Sequence, residues 1–238
     1  VIRPGTIAAV AALALVAPPA WAGPVTVTED GTTSLPALDV PSSALMSPEG
    51  NASRVEHILT ERGLSGRSTA EANAALFGPR LERMKAAYPA VTIRDATLGG
   101  VHVRIYETAG APKAPVLINV HGGGFVGCFA ECGGMESIPV AALTGFRVIS
   151  IDYRLAPAAA FPAASQDVEA VYREVLKATK PERIGLYGCS AGGLLTAQSL
   201  AWFQRKGLPR PAAAGIFCAG GDPAMGGDSR VLGMLLGD

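Results

Sequence analysis

The 238 residues contain only three histidines, His57, His102 and His121, so none follows residue 121. Charge is sparse and balanced, with 20 Lys and Arg against 20 Asp and Glu. That balance gives no sign of the basic surface a nucleic-acid partner needs, and no like-charge run reads as a tail. The four cysteines include no His/Cys grouping at zinc-site spacing, so neither a metal nor another cofactor is expected. No fixed repeat period runs through the abundant glycine and alanine. No apolar run is long enough for a stable membrane span. What the chain does have is apolar content: 49 % of its residues, enough to build one good-sized domain with a short extension.

Residues 1–22 read as an export signal. Arg3 supplies the basic start, Ile7 to Ala17 is a short apolar stretch, and Ala20-Trp21-Ala22 is an A-x-A cleavage site. A buried helix or a membrane anchor is the other reading of the same stretch. Export would place the chain in the periplasm or outside the cell, where disulfides persist. Cys128 and Cys132, four apart in one Gly-rich loop, admit a small disulfide, although spacing leaves its geometry open. Cys189 and Cys218 end two strands expected to be neighbours, and are expected to be buried thiols.

Residues 23–50, rich in Pro, Ser, Thr and Gly, read as an extended leader. Residues 51–90 read as two helices. One runs from about Arg54 to Arg62, with Ser53 as N-cap and Gly63 as stop. The other runs from about Thr69 to Tyr88, broken internally at Gly78-Pro79, with Leu76, Leu81, Met84 and Tyr88 as its apolar face. Residues 91–238 read as an α/β core. Val91 to Thr97 and Val101 to Glu107 form a strand pair about Gly99-Gly100. In the second strand Val101, Val103 and Ile105 face inward, while His102, Arg104 and Tyr106 face water. Beyond Pro115 continuous apolar strands alternate with helices. The strands are Val116 to Val120, Phe146 to Ile151, Ile184 to Tyr187 and Ala213 to Ala219. The helices are Met135 to Leu143, Ala164 to Ala178 and Ala191 to Arg205. The pattern predicts a mainly parallel sheet covered on both faces, with its site at the carboxyl ends of the strands.

Two motifs fall at those ends. Gly188-Cys189-Ser190-Ala191-Gly192 lies between a strand and a helix, the setting of a G-x-S-x-G nucleophile elbow. Gly188 and Gly192 relieve the clashes of so tight a turn. Ser190 is raised to a helix N-terminus, where the dipole and free N–H groups favour a developing oxyanion. An ordinary Gly-rich turn is the plainer reading. His121-Gly122-Gly123-Gly124-Phe125 follows another strand, and its glycines let backbone N–H groups approach a substrate carbonyl. The N–H groups of Gly123, Gly124 and Ala191 are the candidate oxyanion donors. His121 precedes the serine and reads as loop support together with Gly122, not as a base. The same loop also fits G-x-G-x-x-G through Gly122, Gly124 and Gly127, with Asp152 ending the next strand. Against a dinucleotide site, Cys128 to Gly134 are expected to separate that loop from its helix.

The two motifs, with Asp152-Tyr153-Arg154-Leu155-Ala156-Pro157 and Phe161-Pro162-Ala163-Ala164, resemble the hormone-sensitive-lipase-like family of α/β-hydrolase esterases over roughly residues 90–220. The resemblance implies an α/β-hydrolase fold with residues 51–90 as an N-terminal helical cap over the pocket. It further implies a serine carboxylesterase acting on small or short-acyl esters. Asp152 and Arg154 are expected to tie their segment together. Two positions depart from the family pattern: Cys189 stands where aspartate is usual, and Ala158 where glutamate is usual.

The family's triad runs Ser, Asp, His, yet no histidine follows Ser190. Asp222 comes one strand too early for the triad acid, and Asp228 and Asp238 match no motif. The expectation is therefore a chain that ends before its triad acid and base and is inactive or weakly active alone. The sheet is expected to end on an unpaired apolar edge, with poor solubility or dependence on another chain. Oligomeric state is left open. A non-catalytic binding protein on a hydrolase scaffold and a dinucleotide-binding protein stand as the alternatives to the esterase.

Overall fold

The computed structural model describes residues 26–27, 33–34, 44–64, 67–111 and 114–220. The expected export signal and the three late aspartates, Asp222, Asp228 and Asp238, lie outside the described residues. The chain divides into two units, residues 1–54 and 55–238. In the first, β1 (Thr26–Val27) pairs antiparallel with β2 (Thr33–Ser34). Helix α1 (Pro48–Gly63) begins earlier than expected and takes in the end of the supposed leader. Its start is set by Ser47, whose Oγ accepts the Gly50 N–H at 3.1 Å, not by Ser53.

The second unit holds one six-stranded sheet in the order β3-β4-β6-β5-β7-β8. β3 (Thr92–Leu98) and β4 (Val101–Glu107) form the expected hairpin, and β4 pairs antiparallel with β6 (Arg147–Ile151). β5 (Val116–Val120), β6, β7 (Ile184–Cys189) and β8 (Ala213–Phe217) are mutually parallel. From β5 the chain crosses to β6 on one side, and later returns to β7 on the other. The ends of β5 and β7 thus meet at the point where strand order reverses, where open α/β sheets place their ligands.

Helices cover both faces. α4 (Ala163–Leu176) and α5 (Ala191–Arg205) lie on one face. There Val168, Val171, Tyr172, Leu195 and Phe203 bury against Val103, Ile105, Ile118, Ile149 and Leu186. Each fully buried side chain of that size contributes roughly 1.5–3 kcal/mol. On the other face α3 (Phe129–Thr144) brings Ile138 and Ala141 against Tyr106 and Val148, with Leu81 of α2 (Thr69–Ala87) outside them. Tyr106 is therefore buried, not wet as its alternation suggested, because α3 covers that side of β4.

Two further helical expectations change. α3 starts at Phe129, six residues before the predicted Met135. Gly133 and Gly134, which read as loop, are helical, and close packing accounts for glycine at both positions. A Cβ on Gly133 would stand 2.6 Å from Ser150 Oγ, and one on Gly134 2.5 Å from Leu81 Cδ1. α2 runs through Pro79 without a break. The carbonyl that loses its partner there belongs to Ala75, which is exposed, so water can satisfy it. Ser68 and Glu71 close a reciprocal capping box at the start of α2.

At the far edge β8 has no partner beyond β7 among the described residues. Ile216 and Phe217 are exposed, and Leu117, Val140, Tyr187 and Phe217 line an apolar groove of about 290 Å³ there. No described helix is long and apolar enough to cross a membrane.

Candidate active site

Ser190 stands between β7 and α5 with φ 54 and ψ −123, a conformation a non-glycine residue adopts only when its surroundings impose it. Those surroundings can be named. The Ser190 N–H donates to the Phe217 carbonyl on β8 at 2.9 Å, and its own carbonyl accepts the Leu194 N–H at 3.1 Å. Behind the turn the backbone of β5 presses close. A Cβ on Gly192 would overlap the Val120 carbonyl oxygen and lie 2.7 Å from that of His121, and one on Gly188 would also overlap the Val120 oxygen. Both glycines are thus required by contact. The Ser190 side chain is left exposed at the N-terminus of α5.

The His121–Phe125 loop leaves β5 beside this turn. A Cβ on Gly122 would meet the Cys189 carbonyl at 3.0 Å and Ser190 Cβ at 3.6 Å, so the loop lies against the serine. Gly123 and Gly124 have φ of 111 and 64, and the Gly123 carbonyl accepts the Val126 N–H at 3.1 Å. Among the described hydrogen bonds none uses the N–H of Gly123, Gly124 or Ala191 as donor within the protein. The structure therefore brings Ser190, the three candidate donors and the glycines of both motifs into one place.

His121 is fully buried and lies flat on Tyr153, with ring centroids 4.3 Å apart. Its Nδ1 is 2.6 Å from the Gly122 carbonyl, which can only accept, so Nδ1 carries the proton. Burial pulls its pKa down to about 4, against the smaller opposing effect of that bond, and the ring is neutral at pH 7. Tyr153 Oη donates to the His121 carbonyl at 2.7 Å.

Sequence reading missed Glu136. It projects from α3, where Oε1 accepts the Gly122 N–H at 3.0 Å and Oε2 accepts from Asn119 at 2.8 Å. Burial raises its pKa, and the two hydrogen bonds oppose that without cancelling it. The signal was a carboxylate in the middle of an otherwise apolar, Gly-containing stretch.

Cys128 and Cys132 are joined by a disulfide with Cα atoms 5.2 Å apart, tying the loop's end to the first turn of α3. A Cβ on Gly123 would come 2.6 Å from Cys128 Cβ, so the loop rests on this bond. α2 also reaches the loop, through Asn73 and Thr69 beside Gly127. The DYRLAP segment is held as expected. Arg154 pairs with Asp167 at 2.8 Å, and Asp152 meets His102 Nδ1 at 3.0 Å. The Ala156 N–H donates to the Phe125 carbonyl at 2.8 Å, linking this segment to the loop.

Two expectations change here. Cys218 is exposed and Cys189 only partly buried, because Cys218 turns out of the strand with φ 54 and no described element covers it. The supposed spacer from Cys128 to Gly134 is also absent, since α3 follows Gly127 almost directly. The dinucleotide reading still gains nothing. The Glu136 carboxyl already occupies the inner N–H of the loop, which is then not free for a phosphate. Among the described residues no three metal-ligating side chains gather.

A parallel sheet with a strand–serine–helix turn beside a glycine loop at its switch point is the architecture of an α/β-hydrolase. Comparison with known proteins agrees. Residues 117–232 match the α/β hydrolase fold family. The chain's likeness within that fold is to the hormone-sensitive-lipase-like esterases, as the motifs implied. It is similar to a versiconal hemiacetal acetate esterase of Emericella nidulans, 34 % identical over 119 residues, or 50 % of this chain and 41 % of the relative. It is also similar to an acetyl esterase of Salmonella schwarzengrund, 32 % identical over 127 residues, or 50 % of this chain and 39 % of that one. Among solved structures, an esterase of the bacterial hormone-sensitive lipase family superimposes with TM-score 0.57 at 31 % identity, covering 71 % of this chain and 57 % of that one. A hormone-sensitive lipase from a metagenome library gives TM-score 0.58 at 30 % identity, covering 71 % and 56 %. The chain thus spans about two fifths of the length of these two curated relatives.

Proposed function

We propose that the protein is a serine carboxylic ester hydrolase for small or short-acyl esters, with Ser190 as nucleophile. The observation that carries this reading is the imposed left-handed turn at Ser190, set against the Gly122 backbone at the N-terminus of α5. In the reaction Ser190 Oγ attacks the ester carbonyl carbon as its proton passes to a base. The carbonyl oxygen becomes an oxyanion held by the N–H groups of Gly123, Gly124 and Ala191. The alcohol leaves with a proton, and water then releases the acid from the acyl-serine. Losing one such donor typically costs about 2.7–4 kcal/mol of transition-state stabilisation.

None of the three histidines fits the base. His121 is neutral, buried and engaged with Gly122, and His102 lies between Asp95 and Asp152. All three precede Ser190 in the chain, where the fold places its base last. These 238 residues by themselves are accordingly expected to turn over weakly. The Cys128–Cys132 disulfide supports the reading of residues 1–22 as an export signal, since such bonds persist in oxidising compartments.

The test is labelling with a serine-directed fluorophosphonate probe. Covalent labelling that maps to Ser190, and is lost in Ser190→Ala, is the expected outcome. Labelling that persists in Ser190→Ala, or that maps to another residue, would overturn the assignment.

A further inference from the structure

Cys189 and Cys218 carry free thiols at the ends of neighbouring parallel strands. Cys189 pairs in register with Phe217, the residue before Cys218. Regular alternation would turn the Cys218 side chain to the opposite face of the sheet. Its left-handed backbone, φ 54, breaks that alternation, and the Cys218 thiol lies close enough to that of Cys189 to raise its pKa. One step across and one along a parallel pair separates Cα atoms by roughly 5.8 Å, within the ~4.4–6.8 Å a disulfide accepts. Cys218 is open to solvent and Cys189 is partly covered.

We propose that Cys189 and Cys218 are a thiol–disulfide pair, oxidised by low-molecular-weight disulfides of the glutathione type. The Cys218 thiolate attacks one sulfur of the oxidised reagent, the reagent's S–S bond breaks, and one thiol leaves after taking up a proton. Cys189 then gives its proton to solvent and attacks the Cys218 sulfur of the mixed disulfide, displacing the second thiol. Two protein thiols have been oxidised and one small disulfide reduced to two thiols. The division of labour follows from exposure; burial together with the Cys218 contact pushes the Cys189 thiol up to about 12, so it is the poorer nucleophile toward an external disulfide and reacts where Cys218 holds a sulfur beside it. The new bond would join β7 to β8 directly beneath the nucleophile, since Cys189 precedes Ser190 and the Ser190 N–H already donates to Phe217. This pairing is independent of the esterase reading.

The test uses the full chain, gently reduced, in wild-type and in Cys128→Ser/Cys132→Ser backgrounds. Each is treated with oxidised glutathione and digested with trypsin without reduction. The expected product joins peptide 184–205 to peptide 207–230, and forms at least about tenfold faster in buffer than in urea, where the two thiols lose their mutual proximity. The Cys189→Ser variant is expected to hold a lasting glutathione adduct on Cys218. A wild-type chain that ends with that same adduct, or with cross-linked dimers, would overturn the proposal. So would equal rates with and without urea.

Discussion

The glycine loop after β5 and the serine turn after β7 leave adjacent strands side by side, yet they are held in different ways. The loop is gripped by side chains: Glu136 on the Gly122 N–H, His121 on the Gly122 carbonyl, and the Cys128–Cys132 disulfide under Gly123. The turn is gripped by backbone: the carbonyl of Val120 behind its glycines and that of Phe217 on its own N–H. The loop is therefore sensitive to side-chain chemistry and pH. The turn answers to volume, and owes one of its restraints to the edge strand.

The sharpest break in this comparison is Gly192→Ala. The added methyl group has only main chain to push against, so about 3 kcal/mol or more of stability is expected to disappear in urea unfolding. An unchanged midpoint would mean that the turn is looser than described.

The loop's pH response comes next. His121 is pulled from 6.5 to about 4, so the unfolded chain takes up its proton first. Its contribution is full above pH ~6.5 and falls as pH drops towards 4, by about 3 kcal/mol in all. Glu136 acts with the opposite sign: its raised pKa favours the folded state as pH falls through the carboxylate range. Stability measured against pH in wild type and His121→Gln separates them. If the variant keeps the wild-type slope, His121 is not the titrating group.

Removing the disulfide by Cys128→Ser with Cys132→Ser closes a shorter account. A loop this small is worth about 2 kcal/mol by chain entropy. Because Gly123 rests on Cys128, serine-probe labelling is also expected to slow, whereas a purely structural bond would change the melting temperature alone. The mildest change is Phe217→Ala. Its ring is 55 % exposed and touches Tyr187 edge-on, so about 1 kcal/mol is at stake. Its main-chain oxygen remains for Ser190, and labelling should continue; a collapse of labelling would show that the side chain, not the backbone, secures the turn.

Much of this arrangement was legible in the residues. Val116 to Val120 and Ala191 to Arg205 coincide with β5 and α5, because an unbroken apolar run and an amphipathic helix after a serine turn leave little choice. What escaped was set by contacts between distant segments. Gly133 and Gly134 looked like loop until Ser150 and Leu81 were found against them. Tyr106 looked wet because alternation says nothing about a helix arriving on the second face. Glu136 could not be tied to Gly122 from sequence, since its role depends on α3 beginning early enough to aim it at the loop. Cys218 escaped because one left-handed residue cancels the period that predicts its direction.

The packing around Gly122 also says where new specificity could arise. Its flank is crowded by the Cys189 carbonyl, Glu136 and Ser190 itself, so even a methyl group there must push its neighbours aside. Val126, by contrast, is exposed, and Phe125 before it is only partly covered. A library aimed at different esters has its freedom at that rim, and every change it makes there leaves the floor under the serine as it was.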